Sequence, residues 1–579
     1  MLIWNLLFLS KIALWWFNRL EFIPILNIGL FAAIVTTHSL VKHKTLRYIS
    51  LGLIMPSLST ALIAYEVNEI TRLALLLYAD NLFNYSFAFI QELFNRAFTP
   101  NILWSALALT IALHLLGRYI RLTAWMSLII LIISTQIALS DQPIHDTLPS
   151  QTAHTAPTDN LYTLVKSKLE AEKIALQSTQ FDALKQIIRN RLTPTPTLDL
   201  TPDEKLNHFY AQQQAITLKE LNQTTQQTQP NTQPQQQFDL IFLHLTGLSW
   251  AELQLYKQSS HPVFANADLL MTQFNTVASH SQSALSRLAF SNCGQAPNSI
   301  PPTSTENIQK CNLFTQLKLA GFQLQYGLNH EGTADGLKTQ IQQLMGKKAL
   351  EPIRAIDLPI GLIGYDNSEI TQDIDFLAAW WDNRIKVKTH PVVLYYHSIT
   401  LHDGNRLFDE TNNHSSGHDS ASSYPKRLET LLTDLNDFIN TIRESQRAAL
   451  IFIIPTHGAG LSGAYNQPKR IHEIPTPAIT LVPVAIHWIS PNYQKQAIYD
   501  FPIKIQEPTS YLAVSRFIHQ WLHLPSPTHH NPAWPVLFAD LPSTPFVSQE
   551  NNLTLIQHQN TYLLQRANQP WTTLNPNPN

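Results

Sequence analysis

The chain has 579 residues, which is too long for one ordinary hydrophobic core and indicates several domains. Charged side chains make up 14% of it, against about 25% in typical soluble proteins, and the net charge is −2. That balance excludes a broadly basic nucleic-acid-binding protein. Two cysteines are too few for a zinc module built on paired CxxC motifs, and the sequence contains no GxxxxGK[ST] phosphate loop.

Apolar residues are concentrated in the first 140 positions of the chain. Five apolar runs lie at 2–17, 23–36, about 48–65, 101–117 and 122–140. Each run approaches the ~20 residues that cross a ~30 Å hydrocarbon core, so we predict an all-α, five-helix transmembrane domain over residues 1–140. A cleaved signal peptide is the alternative for the first run, but no small-residue cleavage site follows it.

The loops between these runs predict the orientation of the chain in the membrane. Lys42, Lys44 and Arg47 follow the second run, and Arg118 and Arg121 follow the fourth. Loops rich in Lys and Arg stay on the cytoplasmic side. Five crossings that begin inside therefore place everything after residue 140 outside the cytoplasm, where a disulfide can form.

Residues 141–237 predict a linker rather than a packed domain. Its first part, 141–160, is rich in Pro and Thr, and its last part, 222–237, is rich in Gln and Thr. Between them, residues 161–193 show the periodicity of a helix. The Gln-rich tract has too few hydrophobic side chains to bury enough apolar surface for packing.

From residue 238 onward, apolar β-branched runs alternate with helical stretches. The runs lie at 239–245, 392–399, 449–454 and 479–488, and the helical stretches include 283–291, 313–320 and 424–445. Strands that are apolar on both faces and separated by helices predict an α/β domain with a mainly parallel sheet. We assign this domain to residues 238–545 and a C-terminal hairpin to residues 546–579.

Polar residues follow three of the predicted strands, at the edge where α/β sheets carry their chemistry. Thr246 follows the first strand, His402 lies beyond the second, and Thr456 and His457 follow the third. A serine-rich stretch, 279–283, precedes a helical run, where the helix dipole favours an anion such as phosphate. A serine there can also be a helix N-cap, and His457 can be a buried structural histidine.

The order and spacing of these segments resemble those of the bacterial cellulose phosphoethanolamine transferases. The resemblance covers nearly the whole chain and includes WNLLFLSKI, FDLIFLHLTGLSW, FNTVASHS, LHDGN, HGAGLSG and IPTPAITLVPV. It implies an α/β/α sandwich of the alkaline phosphatase and sulfatase type. It also implies that this domain lies in the periplasm, tethered to the bacterial inner membrane by the N-terminal helices.

The family reaction implied by this resemblance is phosphoryl transfer in two steps. A serine takes phosphoethanolamine from phosphatidylethanolamine, and a glucose hydroxyl of exported cellulose then takes it from the serine. The implied partners are these two substrates and the subunits of the cellulose synthase complex, with no nucleic acid.

The resemblance also assigns roles to individual residues. Ser281 falls on the nucleophile, and His402 falls on a histidine near the phosphate that is a candidate proton carrier. Arg287 falls on an arginine of the same helix, where it can contact phosphate or form an ion pair at the surface. Cys293 and Cys311 fall on a cysteine pair that can form a disulfide.

The family holds zinc with a cysteine, the nucleophilic serine, a glutamate and a histidine. In this chain these positions are Thr246, Ser281, Thr456 and His457. Zinc prefers thiolate, imidazole and carboxylate ligands. Because two anionic ligands are replaced by neutral hydroxyls, we predict that the exported domain binds zinc weakly or not at all.

Two further positions depart from the family pattern. The tyrosine beside the nucleophile is His280 here, and an arginine expected just before the IPTP run is His472. Together with His402 and His457, these residues could rebuild a zinc site rich in imidazole. The alternative is that they have no relation to metal, in a chain that has 23 histidines.

Three functions are consistent with these features. The leading hypothesis is a phosphoethanolamine transferase that acts on exported cellulose. The second is a non-catalytic subunit of the cellulose synthesis and secretion complex, which the changes at Thr246 and Thr456 favour. The third, a hydrolase of the sulfatase or phosphodiesterase kind, is disfavoured because it needs the same metal.

Overall fold

The computed structural model describes residues 26, 27, 30, 33 and 34 and most of residues 200–574. Within the second range it omits 227–237, 298–308, 333–335, 388–389, 410–413, 416–419, 464–466, 468, 492, 496–500, 524–531, 533, 540, 560 and 567–568. The chain divides into two compact units, residues 1–156 and 157–579. Apart from five helical positions in the second apolar run, the predicted transmembrane domain and the stretch 161–193 lie outside the described residues. No helix among the described residues combines the length and the hydropathy needed to cross a membrane.

The described part of the second unit alternates strands and helices. The strands are β1 (Asp239–Gly247), β2 (Leu269–Asn275), β3 (Gln323–Leu328), β4 (Ile360–Ile363), β5 (Glu369–Thr371), β6 (Val392–Ser398), β7 (Arg406–Asp409), β8 (His414–Ser415), β9 (Ala449–Gly458), β10 (Leu481–Ile489), β11 (Ile503–Ile505), β12 (Val547–Glu550), β13 (Leu553–His558), β14 (Thr561–Arg566) and β15 (Thr572–Leu574). The helices are α1 (Pro202–Gln226), α2 (Trp250–Leu255), α3 (Pro262–Ala265), α4 (Ser281–Ala289), α5 (Leu313–Leu319), α6 (Leu337–Met345), α7 (Asp373–Lys386), α8 (Ser420–Glu444), α9 (Pro477–Thr480), α10 (Tyr511–Leu522) and α11 (Trp534–Ala539), with 3₁₀ turns at Ser291–Cys293 and Ala355–Asp357.

A seven-stranded sheet forms the centre of this unit, in the order β11-β2-β10-β9-β1-β6-β3. Strands β9, β1, β6 and β3 are parallel neighbours, and β11 is parallel to β2. The predicted mainly parallel sheet is confirmed, with β10 as the exception because it runs antiparallel to both β9 and β2. Among the described residues, only the short helix α9 connects β9 to β10, whereas a parallel connection usually needs a longer crossover.

Apolar side chains cover both faces of this sheet, because successive residues of a strand point to opposite faces. In β1, Leu240 and Phe242 belong to one core cluster, and Ile241 and Leu243 belong to the other. Helices α4, α5, α6 and α10 contribute to the first cluster, and α7 and α8 contribute to the second. The result is the three-layer α/β/α arrangement that the resemblance implies.

The C-terminal region has four strands within the range 546–579, where the sequence predicts a two-stranded hairpin. Strands β12 to β15 form a four-stranded antiparallel sheet. Helix α1 packs against it, with Phe209 in one apolar cluster with Val547 and Ile556. The predicted linker 141–237 is therefore corrected over 202–226, where the chain is a helix. The sheet that packs on the apolar positions of α1 comes much later in the chain. A hydrogen bond adds to this contact, because Lys205 donates to the carbonyl of Gln557, 352 residues away.

A disulfide joins Cys293 to Cys311, the pair to which the resemblance points. The two residues are 18 positions apart, between helix α4 and helix α5. Closing a loop of this length removes conformations from the unfolded chain and stabilises the fold by roughly 3 kcal/mol in the chain-entropy description.

Replacing Asp434 with asparagine should change how stability depends on pH. Asp434, on α8, is buried near Asp373 and Asp375 at the start of α7, and burial together with these charges raises its pKa to about 7. Because the unfolded carboxyl ionises near its ordinary pKa, the native state loses stability as the pH rises from about 4 to 7. Asp434→Asn should therefore be more stable at pH 8 by about 1–2 kcal/mol and gain little at pH 4. Denaturant unfolding followed by tryptophan fluorescence checks this, and a difference that is independent of pH would contradict it.

Candidate active site

Strands β1 and β9 end side by side and place three of the sequence-predicted residues at one edge of the sheet. The parallel register pairs Leu245 with Pro455 but Thr246 with His457, so Thr456 is an extra residue on β9. Such a bulge redirects a side chain. The hydroxyl of Thr456 lies 3.3 Å from the carbonyl oxygen of Leu245 and donates a hydrogen bond to it.

Ser281 begins helix α4 and faces these strand ends. Its hydroxyl oxygen is 2.9 Å from Oγ1 of Thr246 and 3.1 Å from Oγ1 of Thr456. The N-cap position belongs to His280, whose side chain makes no capping hydrogen bond. The structure thus brings three hydroxyl groups from distant parts of the sequence together, at three of the four positions where the resemblance implies zinc ligands.

The fourth position, His457, is buried next to a second histidine. Its Nδ1 lies 3.0 Å from the carbonyl oxygen of Gly458, and its ring centroid is 4.7 Å from that of His472. Burial lowers the pKa of His457 well below its ordinary value, and His472, His280 and His402 add to this effect. His457 is therefore neutral at physiological pH, with Nδ1 as donor to the carbonyl.

His280 connects the site to two carboxylates. Its Nδ1 is 3.4 Å from Oε2 of Glu550, and its Nε2 is 3.7 Å from Oε2 of Glu473. Burial works against protonation of this ring, but the two carboxylates outweigh it and raise the pKa of His280 overall. The ring also stands 5.1 Å from that of His472, measured between centroids.

His402 lies beyond β6, and its charge contributes to lowering the pKa of both His457 and His472. Its ring stacks on Tyr365 with a centroid separation of 4.7 Å, and its Nδ1 is 2.6 Å from the carbonyl oxygen of Asp403. The next side chain, Asp403, forms a 2.8 Å ion pair with Arg470. The loops after β6 and β9 are therefore joined beside the site.

Arg287 lies on α4 as the resemblance implies, and the structure gives it contacts within the protein. Its Nη1 donates to the carbonyl of Ala296 at 2.6 Å, and its Nη2 lies 3.4 Å from Oε1 of Gln549 in β12. These contacts direct the guanidinium toward the C-terminal sheet. A contact between Arg287 and substrate phosphate stays a prediction.

Sequence reasoning missed His397, a buried residue of β6. Its Nε2 is 3.2 Å from Oγ1 of Thr246, which places it one hydrogen bond beyond the pair formed by Thr246 and Ser281. Burial, with smaller contributions from other histidines, lowers the pKa of His397 well below its ordinary value. The signal that could have found it is the parallel pairing of β6 with β1, which sets His397 opposite His244.

The residues at the four family positions do not fit a zinc ion held as the resemblance implies. They offer three hydroxyls and one imidazole, and neutral hydroxyls are poor ligands compared with the thiolate and carboxylate they replace. Within the described parts of the chain, no three His, Cys, Asp or Glu side chains are arranged to hold a metal ion. The side chains of His280, His402, His457 and His472 are among those that form no such arrangement.

Comparison with known proteins decides the family. A sequence profile described as the cellulose biosynthesis protein BcsG C-terminal domain matches residues 189–571. A second profile, described as the BcsG N-terminal domain, matches residues 4–135. The chain belongs to the BcsG family. It is 26% identical over 564 residues to cellulose biosynthesis protein BcsG of Escherichia coli strain K12, covering 96% of this chain and 93% of that protein. The corresponding protein of Salmonella typhimurium strain LT2 is 25% identical over 561 residues, with the same coverage.

Solved structures provide a more distant likeness to this BcsG-family chain. A protein in the alkaline phosphatase superfamily from Vibrio parahaemolyticus has a TM-score of 0.41 and 12% identity, covering 62% of this chain and 87% of that one. The integral membrane protein lipooligosaccharide phosphoethanolamine transferase A from Neisseria meningitidis has a TM-score of 0.38 and 13% identity, covering 93% and 98%. The family assignment rests on the sequence profiles.

Proposed function

We propose that this BcsG-family chain transfers phosphoethanolamine from phosphatidylethanolamine to glucose hydroxyls of exported cellulose, with Ser281 as the nucleophile. The observation that supports this most is that the Ser281 hydroxyl lies within 3.1 Å of the hydroxyls of both Thr246 and Thr456, at one edge of the sheet. Ser281 is also the first residue of a nine-residue helix, where backbone N–H groups favour a phosphate. A hydroxyl nucleophile and an anion-binding position thus coincide.

In the first step, Oγ of Ser281 attacks the phosphorus atom of the lipid, and the bond from phosphorus to the diacylglycerol oxygen breaks. Oγ1 of Thr246, 2.9 Å away, can accept the hydroxyl proton of Ser281. Nε2 of His397, 3.2 Å from Oγ1 of Thr246, can in turn accept the hydroxyl proton of Thr246. The diacylglycerol oxygen takes up a proton as it leaves, and His402 is the candidate donor.

In the second step, a glucose hydroxyl attacks the phosphorus atom held on Ser281. The bond to Oγ of Ser281 breaks, and the hydrogen-bonded path through Thr246 returns a proton to it. The glucose hydroxyl gives its proton to a base, for which His402 in its neutral form is the candidate. The enzyme then regains its starting state with phosphoethanolamine on the glucan.

We further propose a bacterial inner-membrane location, with residues 238–579 in the periplasm and subunits of the cellulose synthase complex as partners. Membership of a cellulose biosynthesis family supports the partners. The five apolar runs and the basic loops at 42–47 and 118–121 support the location and the orientation. In this arrangement the lipid headgroup and the emerging glucan reach the same side of the membrane as Ser281.

A second candidate function is a non-catalytic subunit of the cellulose secretion apparatus. The observation that favours it is the pair of neutral hydroxyls at Thr246 and Thr456, where the resemblance implies anionic zinc ligands. In that case the exported domain keeps the fold and its contacts with the apparatus, while Ser281 takes no part in chemistry.

The two candidates differ in the covalent composition of cellulose. Cells that lack this chain and cells that express it again should be compared by solid-state NMR of the purified glucan. We expect phosphoethanolamine on cellulose only when the chain is present. Restored secretion of unmodified cellulose would instead establish the non-catalytic function, and restoration of neither property would overturn both.

A further inference from the structure

Glu550, the last residue of β12, lies against the turn that carries Ser281. Its Oε2 accepts hydrogen bonds from the backbone N–H of Ser279 at 2.9 Å and of His280 at 3.1 Å. Its Oε1 accepts one from the hydroxyl of Ser283 at 2.8 Å. Glu550 is only 4% exposed. It lies 271 positions after Ser279 in the sequence, so the contact depends on the fold. One buried carboxylate thus binds both sides of Ser281.

Strand β12 also holds the loop that leads into this turn. The backbone N–H of Gln549 donates to the carbonyl of Val277 at 2.6 Å, and the hydroxyl of Ser548 donates to Oδ1 of Asn275 at 3.0 Å. Val277 has a φ of 70°, a left-handed conformation that is costly for a β-branched residue. Such a conformation persists only where neighbouring contacts impose it, and β12 supplies two of those contacts.

The charge of Glu550 suits this role. Burial alone would raise the pKa of Glu550, but its hydrogen bonds and the nearby His280 ring lower it overall. The carboxylate is therefore ionised at neutral pH, and bonds from N–H and O–H groups to an ionised acceptor are about twice as strong as neutral ones.

We propose that Glu550 is a positioning residue for Ser281, and that the C-terminal sheet is part of the active site. Glu550 fixes the segment 279–283, which contains the start of α4, and so holds the Ser281 hydroxyl between Thr246 and Thr456. It touches none of the reacting atoms and acts only through the turn. This inference rests on the proposed function for its effect on transfer, but the geometry of the turn can be tested by itself.

The test compares Glu550→Ala, Glu550→Gln and the control Asn552→Ala in the full chain. Alanine removes every acceptor. Glutamine keeps an oxygen for the two backbone N–H groups and can donate from its amide to Ser283. Asn552 is exposed in the turn that connects β12 to β13 and serves as the matched control. Amide hydrogen exchange over residues 276–285 is measured first, and the rate of phosphoethanolamine transfer to cellulose second.

We expect Glu550→Ala to speed exchange at Ser279 and His280 at least tenfold, with Glu550→Gln within about threefold of wild type and Asn552→Ala unchanged. Glu550→Ala should also lower kcat about 10- to 100-fold without changing KM for the lipid, and glutamine should rescue kcat. A purely structural role would leave kcat of the folded variant unchanged, which would overturn the proposal.

Unchanged exchange in Glu550→Ala would also overturn it, whatever the activity. If the wild-type chain transfers no phosphoethanolamine, the proposed function fails, and the exchange rates alone decide whether Glu550 fixes the turn. If Glu550→Ala does not fold, Ser283→Ala removes one of the three hydrogen bonds and should speed exchange in this segment by a smaller factor, about two- to fivefold. No change in that variant would count against the proposal.

Discussion

Replacing Ser281 with alanine is expected to eliminate phosphoethanolamine from cellulose while leaving the chain folded and in the membrane. The hydroxyl oxygen is the only atom of this side chain that can attack phosphorus, and losing a nucleophile lowers turnover by roughly three orders of magnitude or more. The fold should tolerate the change, because Ser281 loses only its hydrogen bonds to Thr246 and Thr456, each worth about 1 kcal/mol. Solid-state NMR of the cellulose measures the result.

The matched control for this prediction is Ser286→Ala on the same helix. The Ser286 hydroxyl accepts a hydrogen bond from Nε2 of Gln340 and does not contact Thr246 or Thr456. This variant should modify cellulose at the wild-type level. Normal modification by Ser281→Ala, at equal protein abundance, would remove Ser281 from the mechanism.

Introducing the two anionic residues that the resemblance implies should create a zinc site. The double variant Thr246→Cys with Thr456→Glu places a thiolate and a carboxylate next to Ser281, at the strand ends where His457 is also found. Thiolate, carboxylate and imidazole are the ligands zinc prefers, so we expect about one zinc ion per chain after dialysis, against far less in the wild type. Elemental analysis of the full chain measures this.

The control for the zinc prediction adds His457→Ala to the double variant, which should abolish the gained zinc by removing the imidazole ligand. Single variants should bind more weakly than the double variant, because each supplies one anionic ligand. Stoichiometric zinc in the wild-type chain would contradict the prediction. It would favour instead the alternative raised by the sequence, a zinc site rebuilt from His280, His402, His457 and His472.

Much of the fold could be predicted because the central strands are apolar on both faces. Strand β1 alternates between two core clusters, so its sequence is a continuous apolar run, and the same is true of β9. The direction of β10 could not be predicted in this way, because an apolar run does not indicate which way a strand points. The connection between neighbouring strands decides whether they are parallel or antiparallel. Helix α1 was not predicted because the surface it covers comes from β12 and β13, far away in sequence.

The candidate site was predictable only in part. Ser281, Thr246, Thr456 and His457 were found because the order of their motifs resembles a family, and the structure brings the first three into hydrogen-bonding distance. Glu550 could not be found, because its contact with Ser279 depends on how the C-terminal sheet docks. A short polar strand near the chain end has no local pattern that indicates such docking.

The most direct test is whether Ser281 becomes covalently modified. The full chain, purified in detergent, should be mixed with phosphatidylethanolamine vesicles without cellulose, and the peptide that contains Ser281 analysed by mass spectrometry. We predict phosphoethanolamine on Ser281 in the wild type, with or without a zinc chelator, and none in Ser281→Ala. A chain that modifies cellulose while its phosphoethanolamine is found on another residue, or only when zinc is supplied, would contradict this prediction.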